Sequence, residues 1–266
     1  MITSTANKQI KYVNALVKKA KFRREEDLFV AEGLRMCQEI PGEQLRALYI
    51  SESFSKNPAC RGIAEKASSV ETVSDEVFRT FSDTQTPQGI LALVRQQHYS
   101  LQQVTAAEDG EQPLLMILER LQDPGNLGTI LRAGEGAGVT GILMDSATAD
   151  IYSPKVIRST MGSVLRMPFF YAEDLCGTLK ILKKQGISLY AAHLDGTNSY
   201  DRETYLGASG FLIGNEGNGL SEEAAALADR LVRIPMKGKV ESLNAAVAAS
   251  VLMFEAARQR RNTGFT

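Results

Sequence analysis

The sequence contains no tryptophan, two histidines and three cysteines. Cys37, Cys60 and Cys176 are far apart and odd in number, so they predict no disulfide framework. Neither they nor His98 and His193 show a CxxC or Cys/His spacing typical of a zinc site, and we expect no bound metal. The cysteines are interpreted as reduced thiols, as is usual in a cytosolic protein.

Long apolar runs are also lacking. No stretch of about 18 apolar residues is present, so the sequence predicts no membrane span. The first residues include charged side chains rather than an apolar signal segment, and we expect a cytoplasmic protein with no membrane partner. No GxSxG, P-loop or zinc-binding motif occurs, which excludes several classes of hydrolase and of nucleotide-hydrolysing enzyme.

Charge is nearly balanced, with 30 Lys and Arg against 31 Asp and Glu. The chain as a whole therefore lacks the basic character typical of many nucleic-acid binders. Segment 1–24 differs, because it has no acidic side chain. Its basic residues are Lys8, Lys11, Lys18, Lys19, Lys21, Arg23 and Arg24. Such a block can be an arm that contacts phosphates, or a solvated helix face whose counter-charges lie elsewhere; both interpretations stay open.

The chain of 266 residues is long enough for one large domain or two modest ones. Residues 1–96 alternate short helical and extended patterns, which predicts a small α/β domain. Residues 97–113 are mostly polar and predict a linker. The apolar run Leu114–Leu118 begins a second domain, 114–266, in which buried strands alternate with helices. That alternation predicts an α/β fold with a mostly parallel sheet.

Three polar or glycine-rich blocks interrupt apolar runs in the second domain. They are 123–132, 213–221, and the pair 234–236 and 242–244. The blocks begin just after predicted strands, and ligands of parallel sheets usually bind beyond the carboxyl ends of the strands. An unpartnered buried polar group costs about 1–3 kcal/mol, so packing alone does not account for three such interruptions. We interpret them as parts of one shared pocket.

The first block begins a helix. Asn126 opens this helix, and Arg132 follows in its second turn among small residues, which indicates close approach of a ligand or of another backbone. The alternatives are simple helix capping by Asn126 and simple surface charge at Arg132. The glycines of 136–141 match GxGxxG, but they end a helix and lead into a strand, whereas a dinucleotide fingerprint follows a strand and opens a helix. We therefore interpret them as a helix C-cap.

The other two blocks contain a carboxylate and a second helix start. Glu216 lies between Gly214 and Gly219, where it can orient a substrate or partner side chain; an exposed Glu in a tight loop is the alternative. Ser242 and Asn244 open an alanine-rich helix whose free N–H groups can bind polar ligand atoms. The alanines by themselves indicate only close helix packing.

In this order and spacing, the three blocks resemble the SpoU family of RNA 2′-O-ribose methyltransferases, within the SPOUT superfamily. The resemblance covers roughly 114–261. The segment 153–163 is similar to a further family segment. Residues 29–33, Phe-Val-Ala-Glu-Gly, resemble the entry of an N-terminal substrate-binding domain that has a fold like ribosomal protein L30e.

The resemblance implies a C-terminal trefoil knot, S-adenosylmethionine as cofactor and a homodimer with the active site near its interface. The implied cofactor-binding residues are Gly214, Ile234, Leu243, Leu194, Met236 and Gly219. The candidate RNA-binding residues are Lys18, Lys19, Lys21, Arg23 and Arg24 of the basic segment, together with Arg158. By the same resemblance, Arg132 activates the ribose 2′-hydroxyl, while Asn126, Glu216, Ser242 and Asn244 position Arg132, the ribose and the phosphate.

The implied activity is S-adenosylmethionine-dependent 2′-O-ribose methylation of RNA. Arginine is a difficult general base because its pKa exceeds about 12, so Arg132 is expected to orient the hydroxyl and to stabilise a developing alkoxide. We expect 23S ribosomal RNA as substrate, with transfer RNA as the alternative. A non-catalytic RNA-binding assembly factor would need only the N-terminal domain and would be marked by loss of Arg132, Glu216 or Asn244. A small-molecule methyltransferase would have no use for that N-terminal domain.

Overall fold

The computed structural model describes residues 1–107 and 110–262. By internal contacts it divides into two compact units, one of 1–97 with 150–165 and one of 98–149 with 166–266. The predicted domain borders, 1–96, 97–113 and 114–266, thus differ from the units mainly at 150–165. Residues 108–109 of the predicted linker and 263–266 of the predicted second domain lie outside the described residues.

The first unit contains a four-stranded sheet in the order β1-β4-β2-β3. β4 pairs antiparallel with β1 and β2, and β2 pairs parallel with β3. The elements of this unit are α1 (Lys8–Lys18), α2 (Ala20–Glu26), β1 (Leu28–Glu32), α3 (Leu34–Glu39), β2 (Leu45–Ser51), a 3₁₀ turn (Phe54–Lys56), α4 (Ala59–Ala64), β3 (Val70–Val73), α5 (Asp75–Phe81), β4 (Ile90–Arg95), α8 (Pro154–Thr160) and a 3₁₀ turn (Ser163–Leu165).

The basic N-terminal segment folds into two helices rather than an extended arm. Asn7 caps α1 by accepting a hydrogen bond from the Gln9 N–H. The apolar side of α1 is fully buried in the core of the first unit, through Ile10, Val13 and Leu16. The segment is therefore helical, and its exposed lysines project from a structure whose apolar side packs on the first unit.

Arg23 requires a correction to the predicted RNA-binding set. Its side chain is only 5% exposed and makes an ion pair with Asp150, with Nη2 and Oδ2 2.6 Å apart. Its Nη1 also donates to the carbonyl oxygens of Leu16 and Val17. A guanidinium whose donors are engaged within the fold does not project toward a phosphate, so Arg23 has a structural role here.

Replacing Arg23 with alanine is expected to lower the free energy of unfolding by about 3 kcal/mol, because it leaves a partly buried Asp150 without its cation. Chemical denaturation measures this loss. The neighbouring Arg24 is exposed, and Arg24→Ala is expected to change stability by less than about 0.5 kcal/mol. Equal effects of the two substitutions would contradict the assignment.

The second unit contains a seven-stranded sheet in the order β7-β6-β5-β10-β8-β11-β9, and all of its described pairs are parallel. Its elements are α6 (Leu101–Val104), β5 (Leu114–Leu118), α7 (Pro124–Ala137), β6 (Gly141–Asp145), β7 (Phe169–Ala172), α9 (Leu175–Lys184), β8 (Ser188–Ala192), β9 (Asn198–Ser199), a 3₁₀ turn (Tyr200–Arg202), β10 (Ser209–Ile213), α10 (Glu222–Leu227), β11 (Arg230–Arg233) and α11 (Ala245–Asn262).

The two ends of α7 have clear chemical causes. Asp123 caps its start by accepting from the Asn126 N–H, and Pro124 occupies the first helical position, where the missing N–H costs nothing. Gly138 ends it with φ of 78°, a left-handed conformation that glycine adopts without strain. The GxGxxG match is therefore confirmed as a helix C-cap.

Part of the predicted linker is folded. Ser100 and Gln103 form a reciprocal capping box at the start of α6. Val104 is fully buried in the core of the second unit, against Gly141, where any side chain would collide with the Val104 carbonyl oxygen. Polar composition concealed this short helix, because a single buried side chain anchors it.

Among the described residues, no helix combines the length and the apolar character needed to cross a membrane.

Candidate active site

The three sequence blocks meet at one edge of the seven-stranded sheet. In a parallel sheet all carboxyl ends lie on the same side, and β5, β10, β8 and β11 are consecutive neighbours. The loops that follow these strands carry block one after β5, block two after β10, and the first part of block three after β11. The parallel register therefore brings together segments about 90 residues apart in sequence.

Glu216 anchors the β5–α7 turn from the opposite loop. Its carboxylate accepts hydrogen bonds from the Asn126 Nδ2 at 3.0 Å, the Asp123 N–H at 2.9 Å and the Gln122 N–H at 3.2 Å. Partial burial acts to raise the pKa of Glu216, but these donors outweigh it and hold the pKa below its ordinary value. Glu216 is therefore an ionised acceptor that fixes the start of α7.

Asn126 links Glu216 to the last helix. While its Nδ2 donates to Glu216, its Oδ1 accepts from the Asn244 Nδ2 at 2.9 Å. The Asn244 Oδ1 in turn accepts from the N–H groups of Ala246 and Val247, and so caps α11. A carboxylate can only accept, so the amide orientations follow along the chain. Glu216, Asn126 and Asn244, named here the polar relay, join all three blocks.

The loop that carries Glu216 is closed by its own backbone. Asn215 and Gly219 exchange two hydrogen bonds, of 3.0 and 2.9 Å, and the Asn215 Oδ1 accepts from the N–H groups of Gly217 and Asn218. A Cβ on Gly214 would lie 2.1 Å from the Gly219 carbonyl carbon and 2.2 Å from the Leu220 nitrogen. No side chain fits there, which explains the glycine.

Sequence reasoning missed Glu119, the residue directly after β5. Glu119 is 6% exposed, and its carboxylate accepts from both the N–H and the hydroxyl of Ser221, each at 2.7 Å. It thus holds the far end of the loop that begins at Gly214. The signal was available, because an acidic residue that ends an apolar run is the same kind of interruption that marked the three blocks.

Arg132 and Ser242 are not joined to the polar relay. Both are exposed, and among residues 1–107 and 110–262 none makes a hydrogen bond or ion pair with the Arg132 side chain. Arg132 projects from α7, the helix whose start the relay fixes. Its guanidinium is therefore available to a ligand or to another chain.

The predicted cofactor residues lie around the same sheet edge. Gly214, Ile234 and Leu243 are half-buried, whereas Gly219 is exposed. Leu194, in the loop after β8, is 66% exposed, and Met236, after β11, is 38% exposed. Both side chains follow neighbouring strands, so both lie at the carboxyl edge of the sheet.

The predicted RNA-binding residues differ in availability. Lys18, Lys21 and Arg24 are exposed on the N-terminal helices and Lys19 is exposed between them, and Lys21 Nζ lies 3.7 Å from Glu25 Oε1. Arg158 on α8 is partly exposed and pairs with Asp83. In the described parts of the chain, no group of three or more His, Cys, Asp or Glu side chains is placed to hold a metal ion.

The lowered pKa of Glu216 predicts a pH-dependent contribution to stability. A carboxyl group whose pKa is lowered by folding stabilises the fold at any pH above its ordinary pKa, which is 4.5 for glutamate. This stabilisation is lost as the pH falls through the lowered pKa of the folded state. The melting temperature of the wild type should therefore exceed that of Glu216→Gln at neutral pH. This difference should shrink below about pH 4.5. Thermal unfolding from pH 7 to pH 3 tests this, with Glu241→Gln as a control for an exposed loop carboxylate. A margin independent of pH would contradict it.

Comparison with known proteins agrees with this geometry. Residues 113–254 match the SpoU rRNA Methylase family, and residues 7–92 match the MRM3-like substrate binding domain. Among solved structures, the AdoMet-bound rRNA methyltransferase of Sinorhizobium meliloti is similar with a TM-score of 0.83 and 31% identity, over 97% of each chain. This likeness confirms the predicted α/β fold with its mostly parallel sheet and its small N-terminal α/β domain.

Two curated relatives extend the comparison. The 23S rRNA (guanosine-2′-O-)-methyltransferase RlmB of Xanthomonas campestris pv. campestris is 34% identical over 79% of this chain and 87% of its own length. The 23S rRNA (guanosine(2553)-2′-O)-methyltransferase RlmP of Bacillus subtilis is 28% identical over 95% of this chain and 97% of its own. The chain therefore belongs to the SpoU rRNA methylase family.

Proposed function

We propose that this protein transfers the methyl group of S-adenosylmethionine to a ribose 2′-hydroxyl of RNA, with 23S ribosomal RNA as substrate. The observation that carries the proposal is the polar relay, which joins the three family blocks and fixes the base of the helix that presents Arg132. The named activities of RlmB and RlmP, both 23S rRNA 2′-O-methyltransferases, support the choice of substrate.

The residues suit the chemistry of a weak nucleophile. A ribose 2′-hydroxyl must lose its proton as it attacks, and a positioned group must orient it. In this proposal the Arg132 guanidinium orients the hydroxyl and stabilises the negative charge that develops on its oxygen. Glu216 and Asn126 act on Arg132 only through the helix start that they hold. Ser242, exposed beside Asn244, contacts the ribose or its phosphate.

The site also fits S-adenosylmethionine. The adenosine part needs an apolar surface, and Leu194 and Met236 present one at the carboxyl edge of the sheet. The closed loop at Gly214 and the half-buried Ile234 and Leu243 would supply the backbone groups that hold it. When bound, the cofactor supplies an electrophilic methyl group on a sulfonium.

Further parts of the proposal concern assembly and recognition. We propose a homodimer, which the exposed apolar side chains Val247 and Phe254 of α11 support, since both are nearly half exposed. We also propose that the C-terminal part of the chain forms a trefoil knot and that the protein is cytoplasmic. The exposed N-terminal lysines and Arg24, on a unit that matches a substrate binding domain, would contact RNA phosphates.

Methyl transfer from labelled S-adenosylmethionine to separated, unmodified rRNA and tRNA tests the function. We expect label in 23S rRNA, at one linkage that resists alkaline hydrolysis. A methylated 2′-oxygen can no longer be deprotonated and attack the adjacent phosphodiester. Label in tRNA alone would support the proposed methyl transfer but would show that tRNA, not 23S rRNA, is the substrate. No label in either fraction, with cofactor bound, would favour an RNA-binding assembly factor or an assembly intermediate as substrate.

A further inference from the structure

The first unit contains a cavity that the methylation site does not use. Its volume is about 350 Å³. It is formed by the end of β1, α3, the loop between α5 and β4, and α8, all within the first unit. The volume lies near the lower end of the range of about 300–1,000 Å³ that is usual for small-molecule pockets. That size suits a single nucleotide better than a larger ligand.

Three of the residues that line the cavity are apolar. Met36 and Met161 line it together with Ile157, which is buried. Met161 is 42% exposed and is held in the left-handed region, with φ of 50°, at the end of α8. Methionine sulfur makes favourable contacts with aromatic rings, and the flexible side chain adjusts to their shape. These side chains therefore suit contact with the flat face of a nucleobase.

Other lining residues are polar, and hydrogen bonds hold them in position. The Glu32 carboxylate accepts from the hydroxyls of Ser82 and Thr84, at 2.5 and 2.7 Å, and so fixes the loop that forms the cavity wall. The Gln88 Oε1 accepts from the Leu34 N–H at 2.8 Å, which orients the side-chain amide. In the described parts of the chain the Gln88 Nε2 has no partner, so it is free to donate to the edge of a base.

Two guanidinium groups line the cavity. Arg158 uses Nη1 for Asp83, which leaves other donors of its fork for a ligand. The Arg35 side chain is 78% exposed, and its contact to Glu39 is long, at 3.9 Å. Because Glu32 and Glu39 also line the cavity, its charge is close to balanced. Balance disfavours a polyphosphate and suits a neutral base with one phosphodiester.

We propose that this cavity holds one unpaired nucleotide of the RNA substrate, with the base against Met36 and Met161 and its phosphodiester at Arg35, whose charge is less engaged than that of Arg158. The proposal rests on the proposed function, because it takes RNA as the substrate. Proteins read RNA sequence chiefly from unpaired bases that are splayed out, packed on side chains and hydrogen-bonded at their edges. The cavity thus assigns to the first unit a role in choosing the RNA rather than only in attracting it.

A matched pair of arginines tests the proposal. Arg35 and Arg61 are both exposed helical residues of the first unit, each with a glutamate four positions later, but only Arg35 lines the cavity. We expect Arg35→Ala to weaken binding of transcribed 23S rRNA about tenfold and to lower the salt slope by about one. Gln88→Ala should weaken binding without changing that slope. Arg61→Ala should match wild type, and all three variants should bind S-adenosylmethionine normally.

Crosslinking of a 4-thiouridine-substituted 23S transcript to the full-length protein gives a second measurement. We expect crosslinked peptides from 32–39, 84–88 or 157–161, and we expect Arg35→Ala to reduce them while Arg61→Ala does not. Equal RNA binding by the Arg35, Gln88 and Arg61 variants, or crosslinks only elsewhere, would overturn the proposal. So would saturable binding of free nucleoside monophosphates that leaves RNA binding unaffected. Methyl transfer by wild type is scored separately, so failure of the cavity proposal with RNA still methylated leaves the proposed function intact.

Discussion

Arg132→Ala is expected to reduce the turnover rate of RNA methylation by about a thousandfold while S-adenosylmethionine still binds. Arg132 is exposed, and no described residue pairs with it, so its removal leaves no buried group unsatisfied. Removing one preorganised group that stabilises developing oxyanion charge typically costs a factor of about 10²–10³ in rate. Single-turnover methyl transfer and cofactor titration, made on the same preparation, separate the two effects.

Two controls make the Arg132 result specific. Arg166→Ala removes the same charge beside α7, where Arg166 pairs with Glu135, and a surface pair of this kind contributes at most about 1 kcal/mol. Its methyl transfer should equal that of wild type. Arg132→Lys keeps the charge but loses the planar fork, and we expect it to stay strongly impaired. Near-normal turnover of Arg132→Ala would refute the catalytic role.

Local sequence signals mark the bounds of several elements. The apolar run Leu114–Leu118 forms β5 with the same bounds, and Ser74 and Pro154 stand at the starts of α5 and α8. In these helices a capping serine or a proline at the first position marks the start, so the sequence states the boundary itself. The last helix was expected from about 242, but it begins at Ala245, because the Asn244 side chain caps it.

Elements held by distant contacts escaped prediction. α2 follows a break at Lys19, whose extended backbone ends α1, and its sequence has little apolar periodicity. Its buried residue is Arg23, which Asp150 stabilises from 127 positions away. β9 is two residues long and is a strand only through its pairing with β11. No local pattern contains such information.

The candidate site was predictable only in part, because some of its contacts are made by side chains with a sequence signal and others by backbone groups. Glu216 and Asn244 belong to interruptions that packing does not explain, whereas helix capping alone could account for Asn126; the structure joins all three by hydrogen bonds. The backbone donors at Gln122 and Asp123 carry no side-chain signal, so their bonds to Glu216 could not be foreseen. Arg132 was assigned by family resemblance, and its catalytic role stays a prediction.

Gly214→Ala is expected to disable the site by displacing the loop that carries Glu216. The added Cβ would lie 2.1, 2.2 and 2.4 Å from backbone atoms of Gly219 and Leu220, and backbone cannot rotate aside as a side-chain end can. Overpacking of this kind costs about 1–3 kcal/mol. A shift of about 1 Å in a positioning loop can lower the rate about 100-fold. We therefore expect weaker S-adenosylmethionine binding, slower methyl transfer and a lower melting temperature.

Gly207 provides the matched control for Gly214. It lies in the same unit, and a Cβ there would meet nothing within 4 Å. Gly207→Ala should thus keep wild-type cofactor affinity and turnover. Both substitutions add one methyl group, but only the one at Gly214 adds it inside a closed loop. If Gly214→Ala bound the cofactor and methylated RNA as well as Gly207→Ala does, the loop would tolerate displacement. The polar relay would then not depend on the close contact of Gly214 with Gly219 and Leu220, and the proposed link between that contact and the position of Glu216 would be wrong.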